Sequence, residues 1–177
     1  MENELSTIYC SESGDWKQGV RYQKMPESWF DVLPEPEHIM VNAHAEGWLM
    51  DMQGSDTSLF RHIGWNKEKP ETMPKVLHDM MKHHECDDIT IFVGLHEGFN
   101  SSFTWHIDDY DVWAFNILGV TKWTWFNVSG ESPNRGSIME QIVEPGYILT
   151  MPKWVSHKVD VLSEERTSIS LVKKNKR

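Results

Sequence analysis

The sequence has few cysteines and no long apolar run. Only 2 cysteines occur among its 177 residues, Cys10 and Cys86, and neither belongs to a Cys-x-x-Cys pair. This argues against a disulfide framework and favours a reducing compartment. No apolar stretch approaches the roughly 20 residues that a membrane-spanning helix needs. Met1 to Cys10 contains acids and no apolar signal-peptide core, so we expect a cytoplasmic protein without membrane association.

Positive charge is also scarce. Lysine and arginine number 17 against 27 acidic residues, which leaves a net charge of -10. A nucleic-acid binder needs a basic face to displace counterions, so no nucleic-acid partner is expected. The only basic run, Lys173 to Arg177, is interpreted as a solvated tail, with a docking tail as the alternative. Glycine-rich phosphate loops and nucleophile elbows are missing too, which argues against nucleotide and serine-hydrolase chemistry.

The residues present predict a mainly β protein. Val76, Leu77, Met80 and Met81 recur at helical spacing and predict one amphipathic helix ending near His84. β-branched and aromatic runs separated by turn residues then predict these strands: Ile89–Val93, Phe103–Ile107, Val112–Leu118, Lys122–Val128, Ile138–Val143, Tyr147–Met151, His157–Leu162 and Thr167–Val172. Such a series is typical of a closed or two-sheet architecture. Val41–Met52 is a further candidate strand or strand pair.

A His-x-Asp pair is the first candidate for chemistry. His106 and Asp108 are two positions apart in a predicted strand, so their side chains project from one face. A histidine and a carboxylate joined by a second histidine form the facial triad that leaves open positions on non-haem iron(II). His44 and Glu46 have the same spacing without the flanking residues and form the rival pair.

His157 is the candidate third ligand. The segment from Gly146 predicts a turn, a strand, a second turn at Pro152 and then this histidine. A buried, hydrogen-bonded histidine is the alternative interpretation. The spacing of Gly146, Pro152 and His157 resembles the second cupin motif. The stretch from Pro145 is similar to the PGD-x-L-x-x-P-x-x-W-x-H element of JmjC-type hydroxylases.

The resemblance extends to the first two ligands. His106 to Trp113 resembles the H-x-D-x-Y-D-V-F stretch of ribosomal oxygenases, and Phe103 to His106 resembles the F-x-W-H of JmjC histone demethylases. The resemblance implies a double-stranded β-helix (cupin, or jelly-roll) with one or a few flanking helices. It implies one domain over 1–177, with N-terminal strands and a helix to about residue 88 and a metal-binding core over about 89–172.

The same resemblance implies an iron(II)- and 2-oxoglutarate-dependent oxygenase, similar to the small JmjC-like members of bacteria and phages. His106, Asp108 and His157 would hold the iron. O2 and 2-oxoglutarate would be consumed, giving succinate and carbon dioxide while a substrate is hydroxylated. That substrate would be a small molecule, an amino acid or a peptide. The rival functions are a cupin metalloenzyme that does not use 2-oxoglutarate and a non-catalytic metal- or ligand-binding module.

The far carboxylate of 2-oxoglutarate would need a buried cation, and two candidates compete. Gly119 to Trp123 resembles the G-x-K-x-W region of JmjC-like enzymes and nominates Lys122. Most relatives place the cation one residue earlier, on the opposite strand face, but some demethylases have the spacing found here. Arg166 and Ser168 resemble the R-x-S element of other 2-oxoglutarate oxygenases, in which arginine binds a carboxylate bidentately.

Other polar and aromatic side chains near the ligands have weaker assignments. Asn116 and Thr104 are candidates for polar lining of the pocket, and Tyr110 and Asp111 follow the ligands where a mouth loop is expected. The tryptophans near the ligands are interpreted as core or sheet surface. The cluster from His83 to Cys86 is interpreted as a solvated helix end.

Overall fold

The computed structural model describes residues 19–25, 50–52, 60–66, 75–94, 103–126 and 136–174. Its elements in chain order are β1 (Arg21–Lys24), β2 (Met50–Met52), β3 (Phe60–Asn66), α1 (Lys75–His83), β4 (Asp88–Gly94), β5 (Phe103–His106), β6 (Asp111–Leu118), β7 (Thr121–Phe126), β8 (Ile138–Val143), β9 (Tyr147–Met151), β10 (His157–Val161) and β11 (Arg166–Lys173). From β4 onward the predicted strands differ from the observed ones by no more than one residue at either end, except that the predicted strand Lys122–Val128 extends past Phe126 into residues outside the described ranges.

The strands form two antiparallel sheets. The larger has 7 strands in the order β1-β9-β6-β11-β4-β3-β2, and the smaller has 4 in the order β5-β10-β7-β8. From β4 onward the chain crosses repeatedly between the sheets, and β11 ends between β4 and β6. This winding is that of a double-stranded β-helix. The mainly β jelly-roll fold with a flanking helix is therefore confirmed.

The inner core lies between the two sheets. Alternate side chains of each strand point inward because a strand has a period of two. The residues of the inner core are Val112, Ala114, Trp123, Val143, Leu149, Met151, Val155 and Val159. Each fully buried aliphatic side chain stabilises the fold by about 1.5–3 kcal/mol, before the loss of chain entropy is counted. The inner core therefore holds together the two sheets that carry the candidate ligands.

The outer face of the larger sheet is buried as well. Ile91 and Ile169 are completely buried there, and the ring of His84 just beyond α1 stacks on Trp113 at 6.0 Å. Leu77 is completely buried on α1, as its helical spacing predicts. Because α1 and the smaller sheet occupy opposite sides, β11 is buried on both faces over seven of its residues.

The turn after α1 corrects one expectation. The segment from His83 to Cys86 was expected to be a solvated helix end, but His84 and Cys86 are buried. Glu85 adopts a positive φ of 51°, and the amide of Cys86 donates to the carbonyl of Met81 at 2.9 Å. The turn therefore folds back over the helix. Burial raises the pKa of the Cys86 thiol to about 12, so that thiol is unreactive at neutral pH.

Several expectations fall on residues outside the described ranges. These are the rival pair His44 and Glu46, Cys10, and the part of the Val41–Met52 candidate that precedes β2. Among the described residues, no helix combines the length and the apolar character needed to span a membrane.

Candidate metal centre

Two neighbouring strands of the smaller sheet bring the candidate histidines together. β5 ends at His106, β10 begins at His157, and these two residues are direct partners in the antiparallel register. Their ring centroids are 4.2 Å apart. Asp108 lies two residues beyond His106, just after the strand ends. The register of β5 and β10 thus joins residues that are distant in the sequence.

The three side chains form a compact donor set. One ligand atom from each of His106, Asp108 and His157 lies within 4.8 Å of the others. The His157 Nε2 atom is 3.6 Å from Asp108 Oδ2. Two imidazoles and one carboxylate on one side of a cavity are the ligands that non-haem iron(II) takes in a facial triad. The residues present therefore fit that metal.

The ring of His157 is held in one orientation. It is buried, it stacks on the Trp123 indole at 5.6 Å, and its Nδ1 atom lies 2.9 Å from the Val155 carbonyl oxygen. A proton on Nδ1 is donated to that carbonyl, which leaves the lone pair of Nε2 facing Asp108. Burial lowers the pKa of His157, and the neighbouring His106 acts in the same direction. The ring is therefore prepared as a neutral ligand.

A cavity of about 150 Å³ opens beside the triad. The residues lining it are Thr90, Phe92, His106, Asp108, Tyr110, Val112, Trp123, His157, Val159, Arg166, Ser170 and Val172. It lies between the sheets and receives side chains from both. The cavity thus places the candidate ligands and one buried cation, Arg166, around the same space.

Arg166 enters this cavity from the first position of β11. Its side chain is almost completely buried, and both Nε and Nη2 donate to Ser168 Oγ, at 3.1 and 2.8 Å. The guanidinium lies over the Phe92 ring, 5.4 Å from its centroid. Burial lowers the pKa of Arg166 to about 9, which still leaves it cationic at neutral pH. Ser168 and Phe92 therefore keep the Arg166 guanidinium cation beside the cavity.

Lys122 does not line this cavity. It is paired with Asp160 across β7 and β10, on the opposite face from Trp123 and Val159, which line the cavity. Its Nζ atom is 3.4 Å from a carboxylate oxygen of Glu140 and 3.9 Å from one of Asp160. The lysine is thus directed to the outer surface of the smaller sheet and is engaged with acids there.

The remaining candidates divide between the cavity and the framework. Asn116 is buried and donates to the carbonyl oxygens of Gly119 and Val143, at 2.7 and 3.0 Å. It therefore ties the β6–β7 turn to the end of β8. Thr104 belongs to β5, and its side chain lies outside the described part of the structure. Tyr110 lines the cavity, where burial and the neighbouring Asp108 raise its pKa to about 12.

Sequence reasoning missed the contribution of β4. Thr90 and Phe92 line the cavity, whereas Ile89 and Ile91 between them are buried on the opposite face. The run Ile89 to Val93 contains one polar residue, Thr90, which is a weak sign of alternation. Because both faces of this strand are covered, its apolar residues do not reveal which face meets the cavity.

No protein-family model matches this chain, and no curated protein sequence matches it. Among solved structures, it is similar to YcfD, a ribosomal oxygenase from Escherichia coli, with 16% identity, a TM-score of 0.62, and coverage of 99% of this chain and 52% of that chain.

Two complexes of the same Escherichia coli protein are also similar. The complex with cobalt and succinic acid has 14% identity and a TM-score of 0.61, covering 100% of this chain and 52% of that chain. The complex with cobalt and 2-oxoglutarate has 14% identity and a TM-score of 0.59, covering 99% and 52%. This chain spans about half the length of that protein. At such identities the likeness shows a shared fold, the cupin-type double-stranded β-helix.

Proposed function

We propose that this protein is an iron(II)- and 2-oxoglutarate-dependent oxygenase that hydroxylates a small molecule, an amino acid or a peptide side chain. One observation carries the proposal: a two-histidine, one-carboxylate donor set and the buried cation of Arg166 line the same cavity. The donor set fits iron(II), and the cation fits the carboxylate of a cosubstrate. The scarcity of cysteine supports a cytoplasmic location.

The two groups lie at different ends of the strands. β10 starts at His157 and runs to Val161, and the chain then turns and enters β11 at Arg166. The donor set and the arginine backbone are therefore separated along the strand direction, and the long arginine side chain reaches into the cavity between them. A cosubstrate with an acid at each end matches this arrangement. 2-Oxoglutarate has a 2-oxo acid at one end and a simple carboxylate at the other.

In the proposed reaction the chain binds the metal and the cosubstrate, orients them, and excludes water from the cavity. His106, Asp108 and His157 would hold iron(II), which supplies the one-electron chemistry that activates O2 when it is bound. Arg166, supported by Ser168, would bind the far carboxylate of 2-oxoglutarate through paired hydrogen bonds. Phe92, Val112 and the other apolar lining residues would help to exclude water, which would strengthen these charge interactions.

The solved complexes support the choice of cosubstrate. The similar Escherichia coli oxygenase has been crystallised with cobalt and 2-oxoglutarate, and with cobalt and succinic acid. Its shared fold makes the same dicarboxylates the first ligands to test here. A metalloenzyme that does not use 2-oxoglutarate and a metal- or ligand-binding module without activity are the alternative outcomes of that test.

The deciding experiment is an anaerobic titration of the purified chain with iron(II) and then 2-oxoglutarate. We expect a visible charge-transfer band to develop as the oxo acid chelates the iron. Admission of O2 should then convert 2-oxoglutarate to succinate, slowly in the absence of substrate. Full iron binding with neither the band nor succinate would overturn the proposal and favour one of the two alternatives.

A further inference from the structure

One loop contains a candidate ligand, a second loop precedes another candidate ligand, and hydrogen bonds join the two loops. Residues 107–110 contain Asp108, and residues 152–156 lead into His157. The amide of Trp154 donates to the carbonyl oxygen of Asp108 at 2.8 Å. The loop before one ligand is therefore bonded directly to the backbone of another ligand.

A second bond between the same loops uses a side chain. The amide of Lys153 donates to Oδ1 of Asp111 at 2.9 Å. Asp111 follows the candidate ligands where a mouth loop was expected, but it is buried at the start of β6, with 6% of its surface exposed. A buried carboxylate is costly unless hydrogen bonds compensate it. Its hydrogen bond to the loop thus gives this acid a role that does not require contact with substrate.

The loop that Asp111 holds has a strained backbone. Trp154 has a φ of 66°, in the left-handed region, and its side chain is 61% exposed. A non-glycine residue in that region costs roughly 1–2 kcal/mol. The indole itself is exposed, so the conformation is stabilised by the hydrogen bonds of the adjacent amides together with the buried side chain of Val155. The loop then delivers the Val155 carbonyl to Nδ1 of His157.

We propose that Asp111 is a positioning residue for the metal centre. By holding the amide of Lys153, it fixes the loop whose Val155 carbonyl orients the His157 ring, so that Nε2 faces Asp108 before metal arrives. This inference rests on the metal site of the proposed function. It does not depend on 2-oxoglutarate. Outer partners of metal ligands typically contribute about 10- to 100-fold to metal affinity.

The test compares three variants in a titration with cobalt(II), whose visible absorption reports both occupancy and coordination geometry. Asp111→Ala removes the acceptor and the charge. Asp111→Asn removes the charge and keeps an oxygen for Lys153. Asp109→Ala removes an exposed neighbouring charge and leaves the bond intact. We expect cobalt binding to weaken about tenfold or more in Asp111→Ala, with altered absorption bands. The other two variants should bind close to wild type.

Two results would overturn the inference. One is wild-type cobalt affinity in Asp111→Ala. The other is equal weakening in Asp109→Ala, because charge alone would then explain the effect. Should Asp111→Ala fail to fold, the smaller polar truncation Asp111→Ser is expected to show the same loss. Wild-type protein that binds cobalt but never 2-oxoglutarate would overturn the proposed function and leave this inference standing.

Discussion

His106 and His157 face each other across β5 and β10, with ring centroids 4.2 Å apart. Each histidine lies at a strand end, so the two rings meet at one edge of the smaller sheet, where Asp108 follows in the loop. β10 is anchored in the inner core by Val159. The donor set therefore forms as a consequence of strand register, and changes to it can be tested separately from changes to the fold.

Replacement of His106 by alanine should abolish tight metal binding. We expect the dissociation constant for iron(II) or cobalt(II) to rise by more than the roughly 10- to 100-fold that loss of an outer partner costs, because one of three ligands is removed. Isothermal titration or cobalt absorbance measures this. The matched control is His78→Ala on α1, a partly buried histidine outside the cavity. Equal affinity in His106→Ala and wild type would contradict the ligand assignment.

Arg166 and Lys122 offer a matched pair for the cosubstrate site. Arg166→Gln should weaken 2-oxoglutarate binding by at least about thirtyfold, since loss of one partner of a buried charge pair costs about 2–5 kcal/mol. Metal affinity should stay near wild type. Lys122→Gln should leave both affinities unchanged, because that lysine lies on the outer surface with Glu140 and Asp160. If the anaerobic charge-transfer titration shows weakened 2-oxoglutarate binding in Lys122→Gln and not in Arg166→Gln, the carboxylate-binding residue is Lys122.

Gly119 makes a turn that no other residue fits. Its φ is 74°, and an added Cβ would lie 1.9 Å from the carbonyl oxygen of Glu165, the residue before Arg166. Gly136 has a φ of 82° with nothing within 4 Å of an added Cβ. Gly136→Ala should therefore cost about 1–2 kcal/mol from backbone strain alone. Gly119→Ala should cost clearly more, because backbone atoms must also move. Urea unfolding of both variants measures the difference, and equal losses would refute the close packing.

His84 should make stability depend on pH. Burial, with His83 acting in the same direction, lowers the pKa of His84 from 6.5 to about 3. In the unfolded chain the His84 side chain takes up a proton below its ordinary pKa of about 6.5. In the folded chain it does so only at far lower pH. The stability that neutral His84 contributes is thus fully present above the unfolded-state pKa of about 6.5. It is lost as the pH falls from there toward the folded-state pKa of about 3. Between pH 7 and pH 5 the loss should be about 2 kcal/mol.

The variant His84→Leu isolates this effect. Leucine can pack against Trp113 and Phe115, which now contact the imidazole ring, and it does not titrate. Urea unfolding at pH 7 and pH 5 should show a smaller pH-dependent loss in the variant than in wild type. An identical loss in both proteins would show that His84 is not the group responsible.

Local patterns in the sequence were sufficient for the elements of the β-helix. Tyr147–Met151 and Ile138–Val143 were predicted with the bounds that the structure has, because strand runs and turn residues are encoded by neighbouring positions. The spacing of His106 and Asp108 also indicated a ligand pair. The proposal of His157 as their partner required a resemblance, since no local pattern specifies which strand will return beside β5.

What the sequence alone determined was the set of strands, the amphipathic α1 and the residue types that can bind a metal. It favoured Arg166 only slightly over Lys122, because both occupy strand positions with suitable charge. Tertiary structure separated them: side chains alternate between faces, and the winding of the two sheets turns the face of Arg166 toward the cavity and that of Lys122 toward solvent. The burial of Asp111 against the Lys153 amide was likewise decided by packing, because it depends on two loops that meet only in the folded chain.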